Sequence, residues 1–221
     1  MLILRTSNHN STSHGGFQWP KEGHVEAPDW DPIPECGKGL HGLAHGRGDL
    51  FHLKWNDPKA LWQVVEVEDA SVVDLEGKVK FPHGSVIYSG GREGALGIFA
   101  ALEGVSIRDW ILKDPEYAYT YARYVDKGPR DDTRLVACGD HMWASYYARD
   151  VDKAPRDDTR LGACGDPKWA FYYARDVDKG PRDDTRLGAC GDPKWAYWYA
   201  QFVDKGPRDD TRSAACGDPS R

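Results

Sequence analysis

The sequence predicts an α+β fold: a small antiparallel β-sheet or barrel in the N-terminal part, then an α-solenoid of four helical hairpin repeats. Three observations lead there. From residue 114 the chain repeats itself with a period of 26. Between residues 60 and 89 it holds four short runs rich in β-branched residues, bounded by turn formers. Its composition also changes near residue 113: seven of the eight histidines precede that point, and four of the five cysteines follow it. Residues 1–113 carry 11 basic and 15 acidic side chains, residues 114–221 carry 18 and 20. Such a change marks a domain boundary, so the chain divides into residues 1–113 and 114–221. A chain of 221 residues is long enough for two small domains with cores of their own.

Residues 6–59 read as a long loop, dense in Gly, Pro, His and Trp. Loops of that length are usually functional or disordered. Phe17, Trp19, Trp30, Phe51 and Trp55 are too many aromatics for disorder, so the expectation is an ordered, ligand-facing layer over the sheet. Residues 60–68, 71–75, 78–81 and 85–89 are the expected strands, with Glu76-Gly77 as a hairpin turn. Residues 93–103 and 105–113 read as helices that lead into the repeats.

Each repeat predicts a pair of short helices, as in DPKWAFYYARDVDKGPRDDTRLGACG at 166–191. Asp166 is a good N-cap, because its carboxylate accepts from free backbone N–H groups. Pro167 follows at the first helical position, where a missing N–H costs nothing. Trp169, Tyr173 and Val177 lie at i, i+4 and i+8, forming one apolar stripe with Ala170 and Ala174. Trp169 and its counterpart Trp195 are therefore expected in the core. Gly180 is the expected left-handed cap, and Pro181 stops the helix. Thr185 to Cys190 form the second helix, ended by Gly191. One such hairpin cannot bury its stripe alone, whereas stacked hairpins can. Repeats 140–165 and 166–191 differ at only 4 of 26 positions, the mark of recent duplication, so repetition by itself does not signal function. A fifth repeat begins at Asp218-Pro219.

Every repeat carries Arg-Asp-Asp-Thr-Arg, at 130–134, 156–160, 182–186 and 208–212. The expectation is an exposed ridge of alternating charge, which solubilises the array or holds a protein partner. Cys138, Cys164, Cys190 and Cys216 recur at one position of the repeat. Packed helices lie about 8–10 Å apart, beyond the ~7 Å that a disulfide spans between Cα atoms. Free thiols and a reduced, cytoplasmic protein are expected.

The formal charge of −6 argues against sequence-independent binding of nucleic acid. No run approaches 18 apolar residues, so no membrane span is expected. The four apolar residues before Arg5 are too few for a signal-peptide core.

Two motifs stand in the loop: His14-Gly15-Gly16-Phe17-Gln18-Trp19-Pro20 and Cys36-Gly37-Lys38-Gly39-Leu40-His41-Gly42. With the later WQVVEVE, VVDL and GKVKF stretches they resemble an uncharacterised N-terminal domain of phage and actinobacterial proteins. The Asp-Pro-x-aromatic-Ala repeats are similar to tandem helical repeats of uncharacterised phage and bacterial proteins. Both resemblances imply a fold and a setting, and no reaction. The residues themselves suggest capture of a small nucleotide-like ligand without catalysis. Gly37 and Gly39 let backbone N–H groups approach phosphate. Lys38, Arg47, Lys78 and Lys80 supply charge; Trp19 and Trp30 stack on a base; His14, Phe17 and His41 complete the expected ligand site. No P-loop or dinucleotide fingerprint is present. In a phage setting, a host protein partner on the repeat face and sequestration of a host defence factor fit the same reading, and homo-oligomers are compatible with it.

Three other chemistries are weaker. Cys36-x4-His41-x3-His45, with His14 or His52, has the residue types for zinc but no standard spacing, so no metal or other cofactor is expected. Cys36 beside a histidine lacks any local protease signature. Gly39-Leu40-His41 followed by strands and Glu93 is similar to the His-then-acid layout of ADP-ribosyltransferase-like folds, which makes a nucleotide-processing enzyme the alternative. The Tyr and Glu contexts of that layout are missing.

Overall fold

The computed structural model describes residues 1–104 and 106–217, so the start of a fifth repeat at Asp218-Pro219 lies outside the described residues. The chain divides into two compact units, Met1–Trp110 and Ile111–Arg221. No described helix is long and apolar enough to cross a membrane.

Unit 1 holds β1 (Leu2–Ser7), β2 (Gly23–Glu26), β3 (Leu40–Ala44), β4 (Leu61–Glu66), β5 (Val73–Asp74), β6 (Val79–Phe81) and β7 (His83–Gly90). They form one open antiparallel sheet of order β2-β7-β4-β1-β3-β6-β5. The four expected strands are β4 to β7. Glu76-Gly77 makes the expected turn, with φ of 54° and 117° and a Leu75 N–H bond to the Lys78 carbonyl. The expected loop at 6–59 instead holds β2, β3 and the last two residues of β1. β1 lies at the centre of the sheet and is buried over all six residues, so LILRTS need not alternate in polarity.

One face of the sheet is covered by α1 (Arg92–Glu103), which packs Ala95 and Phe99 against β1, β4 and β7. The other face joins Ile3, Val25, Val65, Val86 and Phe81 of the sheet to Trp19 and Ala27 of the covering segments, with Phe17 and Trp30 half-buried against them. That aromatic layer is as expected. β1 keeps six paired positions with β4, from Leu2–Glu66 to Ser7–Leu61. With β3 it pairs only at Ile3–Ala44 and Leu4–Leu43. Leu40, His41 and Gly42 of β3 pair instead with Phe81, Lys80 and Val79 of β6. The two central strands therefore part after Leu4. Gly42 sits at the parting, where a Cβ would collide with Ile3 and the Leu4 carbonyl.

In the second unit, after α2 (Ile107–Ile111), the repeats form four hairpins: α3 (Pro115–Tyr121) with α4 (Asp131–Ala137), α5 (His141–Tyr146) with α6 (Asp157–Cys164), α7 (Pro167–Tyr173) with α8 (Asp183–Ala189), and α9 (Pro193–Tyr199) with α10 (Asp209–Ala215). Asp114, Asp140, Asp166 and Asp192 cap the first helices as expected. Each first helix runs on through a π-helical turn, as at Ala174–Asp178. The left-handed residue that follows is Lys127, Lys153, Lys179 or Lys205, with φ of 55–57°, and not the expected glycine. The widened turn closes through the Gly180 N–H onto the Ala174 carbonyl, which puts the reversal one residue earlier. Ala154 can therefore replace glycine in the second repeat.

Two further expectations are corrected. Trp169 and Trp195 are half-buried; the fully buried side chains are Tyr147, Tyr173 and Tyr199. Each tyrosine hydroxyl enters the preceding hairpin, where Tyr173 Oη lies 2.8 Å from Thr159 Oγ1 and accepts from the Arg156 N–H. The tryptophans join a continuous file, Tyr119–Trp143–Tyr146–Trp169–Tyr172–Trp195–Trp198–Phe202, with centroids 5.2–6.2 Å apart. The charged motif is exposed only in part: Asp131, Asp157 and Asp183 keep side-chain exposures of 97–100 %. Its last arginine is buried in the first three repeats, where Arg134, Arg160 and Arg186 grip Asp152, Asp178 and Asp204 of the next hairpin. Among the exposed large hydrophobics of the repeats, Leu135, Leu161 and Leu187 recur at one position. The cysteines are free thiols.

Candidate functional site

The parting of β1 and β3 opens a cavity of about 860 Å³ in unit 1. Its walls are the unpaired ends of both strands (Arg5 to Asn8 and Gly39 to Leu43), the His14–Phe17 turn with Trp19, the Cys36-Gly37 loop, and Leu53, Lys54 and Lys78. Of the ten residues expected at a ligand site, it gathers His14, Phe17, Trp19, Gly37, Gly39, His41 and Lys78.

Trp30, Lys38 and Lys80 are not on its wall. Trp30 lies over Gly39, where a Cβ would stand 2.9 Å from its ring. Lys38 forms an exposed ion pair with Asp31 at 3.1 Å. Lys80 is buried and donates to the carbonyls of Ile33 and Glu35, pinning that loop. These three hold the wall from behind. The potential zinc ligands do not assemble: among the described residues no three His, Cys, Asp or Glu side chains converge. His45 turns away to Glu103, at 2.9 Å.

One buried charge on the wall was not foreseen. Arg5 is only 6 % exposed. Its guanidinium lies flat on Trp19, with Cζ 3.2 Å from the ring centroid. Nη2 donates to the Thr6 carbonyl at 3.3 Å, and Nε has no partner. No carboxylate forms an ion pair with it among the described residues. Burial pushes its pKa well below the usual arginine value, yet a guanidinium stays protonated in proteins. Ser7, two residues on and hence on the same sheet face, also buries an unpartnered hydroxyl, as does Gln63, opposite Arg5 on β4, its amide.

His41 buries Nε2 without a partner as well. Burial first, then the charges of Lys78, Lys80 and Arg5, lower its pKa to about 4, so the ring is neutral at pH 7. Lys78 Nζ stands 3.0 Å from Cys36 Sγ, and Lys54 donates to Asn8. Asp29, the one carboxylate among the lining residues, accepts from the Gly39 N–H at 3.1 Å. With neutral histidines the wall carries Arg5, Lys54 and Lys78 against Asp29, three positive charges and one negative, a net of +2.

The sequence signal for Arg5 was a charge inside an otherwise apolar opening run. Only the register shows that it faces a cavity.

Residues 1–97 match a family described as a domain of unknown function (DUF7666). The chain is 39 % identical over 99 residues to an ice nucleation protein of Pseudomonas fluorescens, which covers 44 % of this chain and 8 % of that protein. It is 39 % identical over 103 residues to an ice nucleation protein of Xanthomonas campestris pv. translucens, 46 % of this chain and 6 % of that one. With ice nucleation protein InaU of Pantoea ananas the identity is 36 % over 98 residues, 43 % and 9 %. The chain thus spans less than a tenth of the length of these relatives. No solved structure matches.

Proposed function

We propose that the N-terminal unit is a binding module that captures a small nucleotide-like ligand in the cavity between β1 and β3. The observation that carries this reading is the composition of one wall. Phe17, an arginine seated on the Trp19 ring, glycine backbone (Gly37, Gly39) and a few other charged or polar groups converge on about 860 Å³, within the size range of small-molecule sites. Capture is favoured over turnover, because Asp29, the wall's only carboxylate among the described residues, is engaged with the Gly39 N–H and no glutamate joins it. The ADP-ribosyltransferase-like alternative calls for a free carboxylate beside the glycosidic carbon, which this wall does not offer among the described residues. The likeness to short stretches of much longer ice nucleation proteins fits a discrete module set in different chains, and lends no support to that whole activity here. In a phage setting, capture of this kind would remove a nucleotide signal from the host.

The test is to incubate the 221-residue chain with adenosine and guanosine nucleotides, measure binding by calorimetry, then denature the protein and analyse what it releases. Binding with intact nucleotide recovered is the expected outcome. Recovered product would move the assignment to a nucleotide-processing enzyme, and no binding by any nucleotide would end both readings.

A further inference from the structure

We infer that Arg5 is the anchor of an anion subsite in this cavity, built for the phosphoryl end of a ligand; the inference rests on the capture reading and adds where the ligand's charge sits. An arginine on the central strand of a sheet is expensive. Removing an ion from water costs several kcal/mol unless a counter-charge and hydrogen bonds replace the hydration. Elsewhere this protein meets that demand: buried Arg134, Arg160 and Arg186 each have a buried aspartate in the fork of the guanidinium. Arg5 has no such partner, only the Trp19 face and one carbonyl. Among the described residues it is the buried arginine without a carboxylate, and it lines the cavity.

Its surroundings favour an anion of more than one charge. The wall carries a net charge of +2, from Arg5, Lys54 and Lys78 against Asp29. Two buried polar atoms on the Arg5 face of β1 lack a partner, Arg5 Nε and Ser7 Oγ. Where β1 leaves β3, the backbone at Arg5 to Ser7 has no ladder partner on the β3 side. A phosphoryl group presents several acceptor oxygens to such a set and suits the planar fork of arginine. Trp19 fixes the plane of that fork in advance, so little side-chain freedom is lost on binding. Phe17, at 5.5 Å from Trp19, leaves an aromatic edge for the uncharged part of the ligand.

The experiment titrates the full chain with inorganic pyrophosphate, ADP and adenosine, each at low and high salt. ADP should bind at least tenfold tighter than adenosine, pyrophosphate should compete with it, and high salt should weaken both charged ligands. Arg5→Met should reduce pyrophosphate and ADP affinity at least tenfold and leave Tm equal or higher, because a structural arginine lowers Tm on removal whereas an uncompensated one does not. Arg5→Lys, which keeps the charge without the fork, should fall between. If adenosine binds as tightly as ADP, capture of a nucleoside stands and the anion subsite falls. If pyrophosphate binds and ADP does no better, the subsite stands and the nucleotide reading falls. If Arg5→Met fails to fold, the three titrations of the unmodified chain still decide.

Discussion

His41 shows how one side chain ties the stability of the sheet to the cavity. Its ring is neutral in the folded protein because burial and the nearby cations lower its pKa to about 4, against an ordinary 6.5. The unfolded chain therefore takes up a proton at higher pH than the folded one. Between pH 6.5 and 4 the unfolded state binds more protons, so stability present above that window is lost as the pH falls through it. The ring is half-buried and partly screened by solvent, which keeps the loss on the order of 1–2 kcal/mol. Comparing urea unfolding of the unmodified chain and His41→Gln between pH 7 and pH 4 isolates this contribution. The gap between the two should narrow or reverse on acidification, and a constant gap would show that His41 is not held neutral. Three members of the predicted set stand off the cavity wall. Lys38 and Lys80 were read as free charges, and Trp30 as a stacking face. Composition cannot show that Lys80 is tied to two carbonyls or that Trp30 is already packed on Gly39.

At the scale of elements, the hairpin stack depends on a charge pair that the sequence presents as surface. Arg160 has 5 % and Asp178 3 % side-chain exposure, with two bonds from Nε and one from Nη2 linking consecutive hairpins. Asp178→Asn leaves a buried guanidinium with only the partial help of Asp157 and Asp184, and should cost roughly 3 kcal/mol. The equivalent Arg212 of the last repeat is 60 % exposed and among the described residues pairs with Asp209 alone, at 3.5 Å, so Arg212→Ala should cost less than ~1 kcal/mol. Chemical denaturation of the two variants measures the contrast; equal losses would mean that the buried pairs do not hold the stack. The helices themselves were readable, since Asp-Pro caps and the i, i+4 stripe act locally. What lay outside local chemistry was missed: the π-helical turn that moves the reversal onto Lys179, and the neighbour that buries Arg160. The strands divide the same way. β4 and β7 are long and β-branched. β1 is six residues of mixed polarity whose identity comes from being paired along β4.

For the whole molecule the capture reading raises the question of which unit would hold the ligand, and the distribution of unique residues favours the first. The cavity is built entirely from residues between Arg5 and Lys78. The repeats offer copies: an arginine–aspartate grip three times over, an aromatic file of near-equivalent members, and exposed Leu135, Leu161 and Leu187 at one repeat position. A small-molecule site made from such parts would recur along the stack, whereas Arg5, His14 and His41 occur once. Residues 1–113 alone should therefore bind ADP within about threefold of the full chain, since the wall residues and the sheet that positions them are all retained. Residues 114–217 alone should not bind it. The readout is calorimetry on both fragments, with circular dichroism to confirm that each is folded. Binding by the repeats, together with a folded but inert N-terminal fragment, would reverse the roles of the two units. A weakened but measurable affinity in the N-terminal fragment would instead mean that the repeats help to hold β1 and β3 at their parting. Arg5→Met in the full chain then separates the two effects, because it removes the anchor without touching the repeats.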